Sequence, residues 1–270
     1  MKILGFAQLG DELEKGNLEN WFKCMSACDE VYIFDQKSTD GSQEFYKSQD
    51  YVKANVIYSD VDRFGEEGNA KAELFEKMMN EHPDVDWILW MDGDTMLDGR
   101  LIKNNGEKLQ ELCENKASLG VDCVSFGHFN LWRSDIHYRL DAEYHGLHGN
   151  VKALWRNNGN LHYPKSTGHH GAQFPDGMNE IDYAMTNEDD FIYSLVHRGF
   201  ATDYQIMRRY HMYKGHGQEG WNLERLLFEE TLEVNELPSD ILPEWFNVEK
   251  RRHPVTKRKI IDIYKQKHNL

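Results

Sequence analysis

The residues best equipped for chemistry are Asp92 and Asp94, two carboxylates on either side of Gly93 where the apolar run "WILWM" gives out. Paired hard oxygens at the end of a strand suit a divalent cation, since two carboxylates reach one ion directly or through water. Its other positions are then left to phosphate oxygens. Glycine between them lets the backbone approach a ligand closely. Taken alone, the pattern equally fits an ordinary turn after a strand.

These acids need a frame, and the first half of the chain reads as one. Lys2 to Gln8 is an apolar strand with Gln8 at its carboxyl end; Leu18, Trp21, Phe22 and Met25 then recur at helical spacing, with Asn17 placed to cap. The strand "VYIFD" ends in Asp35 and is followed by the turn "QKSTDGS", a short helix from Gln43 and the strand "NVIYS". A helix over 66–81 then leads into the strand ending at Asp92. Strand and helix in this alternation build a parallel sheet, whose ligands gather at the carboxyl ends of the strands. In the second half "VDCVSFGHFNLWR" and "VKALWR" read as strands, "GHHGAQFPDGM" as a long loop, and "YQIMRRYHMY" and "WNLERLLFEETLEV" as helical.

Composition narrows the classes. With 270 residues and 40% hydrophobic content, the chain can bury a sizeable core, and one large domain with a C-terminal extension is expected. A net charge of −15 argues against a nucleic-acid binder, which needs clustered Lys and Arg. Residues 249–270 reverse the sign, with eight Lys and Arg against Glu249 and Asp262. They read as a solvated helix packing on an acidic body, or as a segment that docks on a partner or makes peripheral contact with a membrane surface. Four scattered cysteines suggest neither a zinc framework nor a disulfide scaffold. The N-terminal apolar run is too short for a signal peptide and no stretch approaches a transmembrane span, so the expected location is cytoplasmic.

The stretch "GNLENWFKCMSACDEVYIFDQKSTDGS", together with "DWILWMDGDTML", resembles the family-2 type of glycosyltransferases, enzymes of the GT-A fold. The resemblance implies a Rossmann-like, mostly parallel central sheet flanked by helices, a mixed acceptor-side half and a C-terminal helical extension. In residue numbers, a glycosyltransferase domain is expected over 1–235, with 1–98 holding the nucleotide-sugar and 99–235 facing the acceptor, and the basic extension over 236–270. It implies that Asp35 contacts the nucleoside and that Asp92 and Asp94 place a metal, Mn²⁺ or Mg²⁺, on the diphosphate. Gln36-Lys37 departs from the Asp-Gly that many members carry there, which leaves the base open. The segment "FIYSLVHRGFATDYQIMRRYHMYKGHG" resembles the C-terminal part of one branch, and on that match His197 is the third metal ligand. A second alignment makes "NEDDF" the start of a helix and Asp189 the catalytic base.

The implied reaction moves a sugar from a nucleoside diphosphate donor, UDP-linked or other, to a hydroxyl of a glycan or other acceptor, with inversion expected. A metal-bound diphosphate leaves because the cation offsets charge developing on the β-phosphate. Gln8, Arg63, Lys71, Asp92 and Gly93 complete the candidate donor side, Arg63 and Lys71 as further positive charge. An inverting transfer needs a base within reach of the acceptor hydroxyl, and Asp141 in "HYRLDAEY" is the first choice; paired with Arg139 it is instead a loop carboxylate. Trp132, Trp155, Tyr138 and His169 offer rings for stacking on a sugar, or belong to the core. Two other classes compete: a haloacid-dehalogenase-like phosphatase with Asp92 as nucleophile, and a non-catalytic nucleotide-sugar-binding protein of the same fold. The first wants Gly-Thr after the second Asp, where this chain has Thr95-Met96.

Overall fold

A computed structural model describes residues 1–63, 65–139, 151–167, 173–184, 193–215, 217 and 234–247. The chain divides into two compact units, Met1–Gly127 with Gly149–Leu195, and His128–His148 with Val196–Leu270. The cuts fall after Gly127, His148 and Leu195 and interleave the two units along the sequence.

The first unit is built on a sheet whose strand order is β3-β2-β1-β4-β8-β6-β10-β5, with β9 (Ile181–Tyr183) beside β6. Its opening half alternates β1 (Ile3–Leu9), α1 (Leu18–Met25), β2 (Glu30–Asp35), α2 (Ser42–Ser48), β3 (Lys53–Tyr58), α3 (Glu67–Glu81) and β4 (Trp87–Trp90). The pairs β1–β2, β2–β3 and β1–β4 are parallel. The chain steps outward from β1 to β3 and then returns to the other side of β1 as β4. That reversal makes the gap between β1 and β4 a topological switch point, where open α/β sheets bind their ligands. Buried runs explain the strands: β4 is buried at every position and β1 at six of seven, as expected for strands covered on both faces.

The remaining strands turn the sheet mixed. β8 (Val151–Arg156) pairs antiparallel with both β4 and β6 (Cys123–Asn130). Between β4 and β6 come β5 (Thr95–Leu97) and α4 (Gly99–Ser118), neither of them read from the sequence. α4 is interrupted at Lys103–Gly106, where Asn104, Asn105 and Gly106 take positive φ. The fold is thus the α/β, Rossmann-like arrangement expected, with five helices among the described residues.

In the second unit α5 (Asp203–Gly215) packs Ile206 against Trp132 and Phe200. β7 (His137–Arg139) pairs antiparallel with β11 (Val234–Glu236). Val196 and His197 end β10 (Ser194–His197), so the strand reading of this segment holds and a helix running through His197 does not. Asp141, His169 and Asp189, the helix expected over "WNLERLLFEETLEV" and the basic stretch 249–270 lie outside the described residues. Among the described residues no helix is long and apolar enough to cross a membrane.

Candidate active site

Met91-Asp92-Gly93-Asp94 leaves β4 at the switch point. The turn is closed by Thr95 N–H donating to the Asp92 carbonyl at 3.0 Å. Trp21, buried in α1, donates its indole N–H to the Met91 carbonyl at 2.9 Å, which fixes where the strand ends. Gly93 has a specific reason to be glycine: a Cβ there would lie 2.6 Å from Glu12 Cγ and 2.9 Å from Leu9 Cδ2. Glu12 has little room to yield, being 6% exposed and held by Lys15 Nζ at 2.6 Å and Asn17 Nδ2 at 3.0 Å. The loops after β1 and β4 are therefore pressed together. Asp92 stays exposed and Asp94 partly so. Asn17 does precede α1, but its side chain serves Glu12 and makes no helix-capping bond.

Asp35 is placed differently from a ligand-facing acid. It is fully buried and accepts from Ser38 N–H at 3.0 Å, Gln43 Nε2 at 2.8 Å and Tyr46 Oη at 3.1 Å. The rest of the "STDGS" turn grips the β1–α1 loop. Ser38 Oγ accepts from Asp11 N–H, Ser42 Oγ from Leu13 N–H, and Asp40 from Glu14 N–H at 2.7 Å. Burial works to raise the Asp40 carboxyl, and the bonds from Glu14 and Ser42 outweigh it and hold the group below the usual range. The motif fastens the loop beside the candidate site.

The α3 side of the same strand ends gathers the other donor-side candidates. Phe6 is opposite Trp90 in the parallel register and Gln8 is opposite Phe34, so these four side chains share one face. Arg63 lies over the Phe34 ring at 5.1 Å and pairs with Glu73 at 2.7 Å. Lys71 is 1% exposed, 2.5 Å from Glu67 Oε1 and 4.9 Å from the Trp90 ring centroid. Gln8, Arg63, Lys71, Asp92 and Gly93 are thus brought to one end of one unit, with the two cations already matched by carboxylates. Trp155 belongs to the core: it is fully buried, packs near Phe6, Trp90 and Tyr163, and donates to the Lys152 carbonyl.

The sequence reading missed Asp98, which is fully buried. It caps α4 by accepting from Arg100 N–H, takes Arg100 Nε and Nη2 at 2.9 and 2.7 Å, and accepts from Ser194 N–H at 3.1 Å. It ties the segment after the paired acids to the start of β10. Asp followed two residues later by Arg at a helix start was the available signal.

In the second unit, His197 Nδ1 lies 2.8 Å from Asn130 Oδ1. An amide oxygen only accepts, so Nδ1 carries the hydrogen and Nε2 keeps its lone pair, the tautomer a metal ligand needs. Arg209 Nη2 donates to Nε2 at 3.3 Å, a cationic group already drawn to that lone pair. Trp132 is core beside Phe200, and Tyr138 packs on Phe129 at 4.8 Å. Among the described residues no group of three or more His, Cys, Asp and Glu side chains is gathered for a metal ion. Two carboxylates on an exposed turn still fit Mg²⁺ or Mn²⁺, which is commonly bound through one or two carboxylates with substrate phosphates and water completing the shell.

With this geometry in place, comparison with known proteins shows what part of the chain is similar to a known family. Residues 37–119 match the family described as the galactosyl transferase GMA12/MNN10 family, a span that takes in Arg63, Lys71, Asp92, Gly93 and Asp94. No curated protein matches the chain. Among solved structures, S. aureus TarS is 12% identical with a TM-score of 0.48, over 84% of this chain and 42% of that one. The chain thus spans less than half the length of that protein. TarS 1–349 in complex with UDP is 11% identical with a TM-score of 0.45, over 84% and 70%. HddC from Yersinia pseudotuberculosis is 11% identical with a TM-score of 0.41, over 76% and 96%. By the family match, the segment that carries the paired acids is of glycosyltransferase type.

Proposed function

We propose that the protein is a glycosyltransferase that takes a nucleotide-sugar donor and moves the sugar to a hydroxyl of a glycan or similar acceptor, with Mn²⁺ or Mg²⁺ as cofactor. The observation that carries the reading is the Asp92-Gly93-Asp94 turn. It sits at the switch point between β1 and β4, with Asp92 exposed, Asp94 partly so and its glycine locked against Glu12, inside the stretch that matches a sugar-transferring family.

Asp92 and Asp94 are the residues that would hold the cation. When bound there, the cation offsets the charge that grows on the diphosphate as it leaves. The chain's own part is positional. Glu12 and Trp21 set the height of the acidic turn, and Asp35 with the "STDGS" turn stiffens the adjoining loop. The Arg63 and Lys71 ion pairs line the α3 side without presenting an unmatched charge. His197 belongs to the second unit, and its expected role as a further ligand is a proposal that its own substitution tests. Asp141 is proposed as the base that takes the acceptor proton, with inversion as the outcome; Asp189 is the other candidate.

Calorimetric titration of UDP and GDP in the presence of Mn²⁺ tests the donor side. One of the two should bind the wild-type protein, and Asp94→Asn should weaken it at least tenfold, since a neutral amide is a poorer ligand for a hard cation. Equal affinity in Asp94→Asn, or equal affinity with and without Mn²⁺, would remove the metal from the reading.

A further inference from the structure

Four buried polar atoms at the carboxyl end of the β1–β4 pair have no hydrogen-bond partner among the described residues: Gln8 Nε2, Gln8 Oε1, Trp90 Nε1 and Tyr163 Oη. Trp90 and Tyr163 are each 7% exposed. Leaving a buried polar group unpaired costs about 1–3 kcal/mol, and proteins rarely accept it without a reason. Here several such groups stand together. Trp90 is opposite Phe6 in the register, Tyr163 stacks on Phe6 at 5.8 Å, and Gln8 is two residues beyond Phe6 on the same face.

The rings themselves are occupied. Trp90 lies nearly parallel to Trp155 at 6.3 Å and under Lys71 Nζ at 4.9 Å. Tyr163 is held by Phe6, Phe75 and Trp155. Stacking surface is therefore spent, and what remains is a set of N–H, O–H and amide C=O groups. Such a set suits a ligand with several hydroxyls. Burial first, then the Glu67 and Asp92 carboxylates, push the Tyr163 hydroxyl well above its ordinary range, so it keeps its proton and can donate. Asp92 is the acid proposed to hold the cation on the diphosphate, and the part of a donor bonded directly to that diphosphate is its sugar.

We propose that Trp90 Nε1, Tyr163 Oη and the Gln8 amide form the hydrogen-bonding wall of a subsite for the transferred sugar. The inference rests on the donor reading above. Gly68 belongs to the same construction: a Cβ there would come 2.0 Å from Ser166 Oγ, so the loop carrying Tyr163 can close on the first turn of α3 only over a glycine.

Tyr163→Phe removes one unpaired oxygen and leaves the ring packing intact, so the variant should fold with equal or higher Tm. Calorimetry in Mn²⁺ would compare UDP with UDP-galactose, and GDP with GDP-mannose, on wild type, Tyr163→Phe and Trp90→Phe. Tyr163→Phe should lose about tenfold on the nucleotide-sugar and nothing on the bare diphosphate. Equal loss on both, or no loss on either, overturns the subsite. Should Trp90→Phe disturb the core, Tyr163→Phe decides alone. If neither diphosphate binds, it is the donor reading that has failed, and the subsite falls with it.

Discussion

At the residue scale, two carboxylates that look alike in sequence are placed in opposite surroundings. Asp92 leaves its strand into solvent, while Asp35 leaves its strand into three hydrogen bonds from its own turn. Asp35→Asn leaves an amide where the donors Ser38 N–H, Gln43 Nε2 and Tyr46 Oη converge, and it should cost about 2–3 kcal/mol in urea unfolding while the apparent metal affinity changes little. A large loss of nucleotide binding without loss of stability would instead return Asp35 to the nucleoside. An acid ending a strand reads the same in sequence whether its partner is a ligand or the chain's own N–H, so nothing in the sequence separates the buried Asp35 from the exposed Asp92. His197→Ala tests the other assigned ligand. If the Asn130-oriented imidazole contributes to the cation, Mn²⁺ and nucleotide affinity should fall together in calorimetry, and unchanged titrations would withdraw it.

At the scale of elements, the site depends on how strand ends are fastened. Asp98 joins β5, α4 and the first residue of β10 through one buried carboxylate. Asp98→Ala removes a helix cap and leaves Arg100 and Ser194 N–H without their acceptor, so about 3 kcal/mol should be lost in chemical denaturation. Wild-type stability in that variant would deny the clamp. The opening β-α alternation was legible because Leu18, Trp21, Phe22 and Met25 keep helical period and β2 and β4 are short apolar runs bounded by polar turns. α4 was not, because Lys103–Gly106 leave helical geometry and break the spacing between Leu101 and the later Leu109, Leu112 and Cys113. Trp90 and Tyr163 escaped notice for another reason. In a sequence they count as apolar pattern, and only the structure shows their polar ends buried without a partner among the described residues.

For the whole molecule, a net charge of −15 is carried by a chain that ties down many of its acids locally. Asp122, buried, accepts from Arg156 Nη2 at 2.6 Å and Asn158 Nδ2 at 2.9 Å. Burial alone would raise its carboxyl, and these bonds reverse the sign and lower it. Asp182 is lowered first by its hydrogen bond from Lys116. Carboxyls lowered on folding mean that the unfolded chain binds more protons in acid. The stability they contribute is fully present above the ordinary value of 3.8 and is lost as pH falls below it toward the folded values. Thermal melts should therefore be flat from pH 7 to 5 as far as these groups go and drop steeply below pH 4, with Asp122→Asn showing a shallower drop. The central claim is that Asp92 and Asp94 serve a metal-bound nucleotide-sugar. Its most direct test is the release of nucleoside diphosphate from a panel of nucleotide-sugars incubated with the protein and Mn²⁺. The account predicts release from at least one donor, abolished by excess chelator and by Asp94→Asn; full release in chelator, or no release from any donor, would contradict it.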